Sequence, residues 1–285
     1  MNTKYTNYFE GRTLLIATQH GKEQVIAPIF EKNLGLQCTV PEHFDTDAFG
    51  TFAGEIERTD DALTTLRKKC TSAMKHYQAD LVIASEGSFG AHPESIFLPA
   101  DEELLMFIDQ RHGLEVVERT LSTQTNFSGA TVNSQAALEQ FAKRALFPSH
   151  ALILRPTAHS TTHIIKGITA WETLYCSYDR LVQQFGEAYV ATDMRALYNP
   201  SRMEVIKQTT QKLLQRLQTH CPQCHIPGFG VTARQPGLPC AYCGVPTRST
   251  LVHIQQCAKC KYLQEQLYPH HKTAEDPRYC DYCNP

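Results

Sequence analysis

Long apolar runs are missing from this sequence. Near its start the longest is Leu14-Leu-Ile-Ala17, far shorter than a secretory core or the roughly 20 apolar residues of a membrane span. The expectation is a cytoplasmic protein with no membrane partner. An excess of either charge is missing too: the net charge is -2, which gives no electrostatic case for nucleic acid. Neither a P-loop nor a GxGxxG sequence occurs, and no nucleophile with a fixed neighbouring base is visible. Cysteine is sparse before residue 221. Cys38, Cys70 and Cys176 lie in apolar-looking segments and are predicted to be small buried hydrophobes.

What is present is concentrated at the other end. Eight of the eleven cysteines form four CxxC pairs, Cys221/Cys224, Cys240/Cys243, Cys257/Cys260 and Cys280/Cys283. A CxxC turn points two sulfurs at one place, and two such turns complete the four-thiolate tetrahedron that Zn²⁺ prefers. Gaps of 15 residues after Cys224 and 19 after Cys260 suit a zinc ribbon. Two structural zinc sites are expected, with sequential pairs taken together. An interleaved pairing stays open, as does replacement of a thiolate by His225, His253, His270 or His271; disulfides are disfavoured without an export signal. From residue 221 onward six Lys/Arg face four Asp/Glu, and two four-thiolate zinc sites would bring this balance to about -2. A nucleic-acid ribbon should be basic. Closed four-thiolate sites also leave no position for a catalytic water, so the tail reads as scaffold or as a docking surface for a protein partner.

Upstream, apolar segments alternate with helical patterns. Thr13–Thr18, Leu36–Val40, Asp80–Ala84, Glu115–Thr120, His150–Leu154, Ile164-Ile165 and Ala188–Ala191 read as strands. Helices are predicted through Leu34, from a start at Thr59-Asp-Asp-Ala-Leu63, from Asp101 to before Gly113, after an Asn133 cap and over about 170–185. Ser85–Gly90 reads as a glycine-rich turn. This alternation predicts an α/β domain over 1–198, a mostly parallel sheet with flanking helices. Asn199-Pro200 then opens a connecting helix over 199–220, and 221–285 form the small zinc-ribbon module.

Ligands of α/β sheets sit beyond the carboxyl ends of the strands, and polar clusters fall there. Thr18, His20 and Lys22 follow the first strand, Glu86 the strand at 80, Arg155 the strand at 150, and Asp193 and Arg195 the strand at 188. Thr18, Lys22, Arg155 and Arg195 suit oxyanion binding. Glu86 and Asp193 suit Mg²⁺, and His20 suits a base near neutral pH; these three are the catalytic candidates. Arg202 lies close by in sequence. Glu102 and Glu103 read as first-turn acids serving a helix dipole.

Ala17-Thr-Gln-His-Gly-Lys-Glu23, then Thr59–Lys69, then a strand ending in Ser85-Glu-Gly-Ser88 resemble the opening third of the inosine/xanthosine triphosphate pyrophosphatase family. The resemblance implies an elongated α/β fold, Mg²⁺-dependent cleavage of a nucleoside triphosphate, triphosphate contact by Lys22 and metal binding by Glu86. His20 stands where that family has asparagine, and its double aspartate after the third strand is absent. As a whole the chain resembles uncharacterised bacterial proteins in which an α/β domain precedes a run of CxxC pairs. Two readings follow. One is a metal-dependent hydrolase of an anionic, nucleotide-like small molecule, with the zinc tail closing over or stiffening its site; the other is a non-enzymatic adaptor that docks through its zinc ribbon on a protein partner.

Overall fold

The computed structural model describes residues 8–42, 44 and 60–285; the expected helix start at Thr59 lies outside them. The chain divides into two compact units. Among the described residues, one comprises Phe9–Arg111 and Val117–Leu213; the other comprises Tyr8, His112–Val116 and Leu214–Pro285.

In the larger unit, β1 (Thr13–Ala17) leads into α1 (Glu23–Leu34), which Gly35 ends in the left-handed conformation. Next come β2 (Gln37–Thr39) and α2 (Ala62–Tyr77). Asp61 caps α2, its carboxylate accepting from the amides of Leu63 and Thr64. Then β3 (Leu81–His92) folds back onto β4 (Ser95–Asp109), followed by β5 (Leu114–Ser122). Together these strands form a sheet in the order β2-β1-β3-β4-β5, with β1 parallel to β2 and β3, and β3 antiparallel to β4.

Side chains alternate faces along these strands. Leu15, Ala17, Val82, Ala84, Leu104 and Met106 pack with Leu66, Cys70 and Ala73 of α2. On the other face Phe107 meets Phe30 of α1 and Phe9. Helices therefore cover both faces of this sheet.

A second sheet is built from β6 (Gly129–Val132), β7 (Leu152–Arg155), β8 (Ile165–Ile168) and β9 (Ala188–Thr192), in the order β6-β9-β7-β8 with every neighbour antiparallel. Helices α3 (Gln135–Arg144) and α4 (Trp171–Phe185) cover one face, where Leu138, Phe141, Leu174 and Leu181 pack on Leu152, Leu154 and Val190. Ser134, one residue past the predicted Asn133, caps α3. Finally α5 (Pro200–Gln218) begins at the predicted Asn199-Pro200 step.

The mostly parallel sheet is thus overturned: the sheets are mixed or antiparallel. Two segments account for the difference. Ser85–Gly90 does not turn but extends β3 to His92, and Asp101 to Ile108 does not coil into a helix but forms the return strand. Asp-Glu-Glu-Leu-Leu favours a helix locally, yet the long register with β3 buries Leu104–Phe107 on both sheet faces, and tertiary pairing overrides the propensity. Glu102 accordingly serves no helix dipole; it is paired with Arg119 of β5. Of the three scattered cysteines, Cys70 is buried, Cys38 half-buried and Cys176 exposed, because Leu174, Ser177, Tyr178 and Leu181 set the buried stripe of α4 and Cys176 falls outside it.

The smaller unit carries β10 (Gly230–Pro236), β11 (Thr250–Gln256) and β12 (Leu263–Leu267), an antiparallel meander.

Candidate metal centres and a candidate ligand site

Each CxxC of the smaller unit forms a tight turn. The amides of His225, Gly244 and Asn284 donate to the carbonyls of Cys221, Cys240 and Cys280. Backbone amides also donate to sulfur, from Gln223 to Cys221, from Tyr242 to Cys240 and from Cys260 to Cys257. At Cys240 the amide bonds from Cys243 and Tyr242 hold the thiol down to about 7, which favours the thiolate that a metal binds.

The turns assemble into two quartets, Cys221/Cys224/Cys257/Cys260 and Cys240/Cys243/Cys280/Cys283, each with all four sulfurs within 4.8 Å. Contacts across them are 3.7 Å for Cys221–Cys260, 3.6 Å for Cys224–Cys257, 3.9 Å for Cys240–Cys283 and 3.7 Å for Cys243–Cys280. A Zn²⁺ tetrahedron with bonds of about 2.3 Å has sulfur–sulfur edges of about 3.8 Å, whereas a disulfide is about 2.05 Å. All eight thiols are free. Both quartets therefore fit zinc, two structural sites of four cysteines each, with no histidine in either set.

The sequential pairing is corrected to the interleaved one, for a reason that lies in the meander. Between Cys224 and Cys240 runs β10, seven residues or about 20 Å of extended chain, so those turns sit at its opposite ends and cannot share an ion. Antiparallel pairing sets Gly230 opposite Gln256, which brings the turn before β10 to the turn that directly follows β11. At the far end Pro236 lies opposite Thr250, and the amide of Ala241 donates to the Glu275 carbonyl, placing Cys240 beside the segment that leads to Cys280.

In the larger unit a row of side chains lies on the face of the β3–β4 pair that also carries Phe107. Along β3 the row is Ser85, Gly87, Phe89; opposite them on β4 stand Leu105, Glu103 and Asp101. Lys22, entering α1, donates from Nζ to Ser85 Oγ at 2.9 Å, and Thr18 Oγ1 lies 3.4 Å from the same hydroxyl. Arg202 of α5 donates from Nε to Glu103 Oε1 and from Nη1 to the Met194 carbonyl, both at 2.5 Å. Its guanidinium stacks 4.9 Å from the centre of the Phe89 ring. At Gly87 even a methyl group would collide with Arg202 Nη2 and Glu103 Oε1.

Asp101 and Glu103 are fully buried, at 0% and 1% exposure, yet both oxygens of Asp101 and Oε2 of Glu103 have no hydrogen-bond partner. Burial, then the Glu103 carboxylate, pushes Asp101 up to about 8 against the pull of Arg202 and Lys22. Burial and the nearby Arg202 and Lys69 cations bring the Lys22 ammonium down to about 7. Titration near neutrality of groups buried together is a mark of functional sites.

Glu86 does not join them. Strand alternation sends it to the α2 face, where it accepts from Lys69 Nζ at 2.5 Å. Asp193 is likewise engaged: its carboxylate takes Arg195 Nη2 at 2.6 Å and the backbone amides of Gly167 and Arg195. His20 occupies the β1–α1 turn at φ +66°.

Arg155 stands elsewhere, in a cavity of about 500 Å³ on the face of the second sheet that α3 and α4 leave uncovered. Ile153, Arg155, Tyr189 and Ala191 point there by alternation, and Phe89 and Phe127 also line it. The Arg155 guanidinium lies 5.3 Å from the centre of the Tyr189 ring, and its Nε is buried without a hydrogen-bond partner. Gly129 lines the cavity where a side chain would strike the Tyr189 hydroxyl.

Of the residues expected from sequence, then, Thr18 and Lys22 meet at Ser85, Asp193 and Arg195 bind each other, and Glu86 and Arg155 stand apart. Asp101, Glu103, Phe89 and Tyr189 are site residues that the sequence alone does not mark. The signal at Asp101 and Glu103, acids two apart beside an apolar run, has meaning only once the segment is a strand.

The family described as Domain of unknown function (DUF6671) matches residues 69–285, and the chain belongs to it. The match includes Lys69, Glu86, Asp101, Glu103, Arg155, Arg202 and all eight quartet cysteines, and begins after Thr18, His20 and Lys22. No curated protein matches the sequence.

Proposed function

We propose that this chain is a zinc-bearing protein whose larger unit binds an anionic small molecule with a planar ring, of nucleotide-like chemistry, while the two zinc sites hold the cysteine-rich region 221–285 as a structural module. The observation that carries the reading is Arg155, a cation in the wall of a cavity with aromatic neighbours and an unpartnered buried Nε. Phe89 and Phe127, 5.8 Å apart at an interplanar angle of 35°, and Tyr189 supply ring faces, and Arg155 supplies the bidentate oxyanion contact. A volume of about 500 Å³ falls in the range of small-molecule pockets.

Hydrolysis of that molecule is the second reading, and the observation in its favour is the pair Asp101 and Lys22, both brought to titrate near neutrality, with Asp101 the register partner of Phe89.

The test is calorimetric titration of zinc-loaded protein with nucleoside mono- and triphosphates, the parent nucleosides and inorganic phosphate, each with and without Mg²⁺. The expected result is binding of the phosphorylated ring compounds, weakened about 10- to 100-fold in Arg155→Ala, as for a hydrogen bond to a charged group. Phosphate or pyrophosphate release in the same samples would establish the hydrolase. No binding by any of them would leave the adaptor reading, a zinc ribbon docking on a protein.

A further inference from the structure

We propose that Asp101 and Glu103 form a binding site for one hard divalent cation of the Mg²⁺ class, on the Arg202 face of the β3–β4 pair. These are not the carboxylates that the sequence suggested for a metal.

Two residues apart on β4, Asp101 and Glu103 point to the same face, so their carboxylates are neighbours. Three of their four oxygens are buried without a hydrogen-bond donor. Burying an unpaired acceptor costs about 1–3 kcal/mol, more for a charged group, and two carboxylates side by side add repulsion.

The nearby cations do not reach these three oxygens. Arg202 donates to Glu103 Oε1 and the Met194 carbonyl, and Lys22 donates to Ser85. One water donates two hydrogen bonds, too few for three oxygens, and it leaves the repulsion in place; a proton on Asp101 removes the repulsion but supplies a single donor. A hard cation answers both deficits. Mg²⁺ takes oxygen ligands, is generally held by only one or two carboxylates, and fills its remaining positions with water or ligand phosphate.

The alternative metal carboxylates are committed: Glu86 to Lys69 on the opposite face, Asp193 to Arg195 and two backbone amides. Among the described residues the groupings of three or more potential metal ligands are the two cysteine quartets. This is therefore a two-carboxylate site, chemically distinct from the soft thiolate sites. Phe89, the register partner of Asp101, is also a wall of the cavity. The inference itself stands on Asp101 and Glu103 and does not require the cavity reading.

Mn²⁺ reports on such a site, since it shares the oxygen preference of Mg²⁺ and does not compete with zinc for thiolates. Zinc-loaded full-length protein would be titrated with Mn²⁺ alone, and free Mn²⁺ read by electron paramagnetic resonance. The expectation is one Mn²⁺ per chain, displaced by Mg²⁺. Asp101→Asn should weaken it at least about tenfold, the lower end seen even for outer-shell changes. Asp101 accepts no hydrogen bond, so this variant should melt no lower than the parent. Glu102→Gln, which alters the acid on the opposite face paired with Arg119, should bind as the parent does. Absence of Mn²⁺ binding in the parent, equal binding in Asp101→Asn, or loss in Glu102→Gln would each overturn the proposal. Because no nucleotide is present, this outcome is independent of the cavity titration.

Discussion

Phe89 and Asp101 are register partners across β3 and β4, and the two lie in opposite electrostatic situations. The Phe89 ring has the Arg202 guanidinium 4.9 Å from its centre, while the Asp101 carboxyl, wholly buried, accepts from no donor. The cation is thus drawn to Glu103 and the ring, and Asp101 is left with only the through-space pull of Arg202 and Lys22.

That acid has a pH signature. Its folded-state value is about 8 against an ordinary 3.8. Between those values the unfolded chain has released its proton and the folded chain has kept it, so stability falls as pH rises through this window, by up to about 1.4 kcal/mol per unit. Lys22, lowered from 10.5 to about 7, acts in the reverse sense, with stability rising from about pH 7 to 10.5. In buffer without added divalent cations, Asp101→Asn should flatten the decline between pH 5 and 7. Urea midpoints across that range check it, and a slope equal to the parent's would refute the assignment.

The zinc pairing makes a stoichiometric prediction. Cys221→Ser should lower zinc from two ions per chain to one, and Cys221→Ser with Cys260→Ser should still leave one. Cys221→Ser with Cys240→Ser should leave none. Elemental analysis distinguishes this from sequential pairing, under which the last two outcomes would be exchanged. Each loss should also unfold its end of the meander, since zinc binding in such modules supplies about 10–16 kcal/mol of folding free energy.

Gly87→Ala should destabilise the larger unit. Its new methyl would displace Arg202 from Glu103, and breaking a buried ion pair typically costs about 3–5 kcal/mol. A fall of several degrees in melting temperature is expected; an unchanged one would mean that Arg202 finds another place.

Glu86→Gln should be destabilising for a related reason, by about 3–5 kcal/mol, because it leaves the buried Lys69 ammonium unpaired. The double variant Glu86→Gln, Lys69→Met should recover part of that loss. Thermal melts of the two separate a structural ion pair from a metal ligand, since Mn²⁺ binding by the double variant is expected to equal the parent's.

The sequence by itself determined what local chemistry can specify. Four CxxC turns announce two four-thiolate sites because each turn carries its own geometry. Asn199-Pro200 starts α5, and the apolar strands at 13–17, 152–155 and 188–192 stand where their hydrophobicity says. Tertiary structure decided what depends on partners distant in the chain. Which CxxC turns share an ion follows from the antiparallel meander that places turns at its two ends. Asp-Glu-Glu-Leu-Leu is a strand only because β3 lies beside it, and only that strand brings Asp101 and Glu103, residues two apart, onto one buried face. Glu86 was visible as an acid after a strand, but the pleat of β3 sent it to Lys69 while its neighbours Ser85 and Gly87 turned toward Lys22 and Arg202.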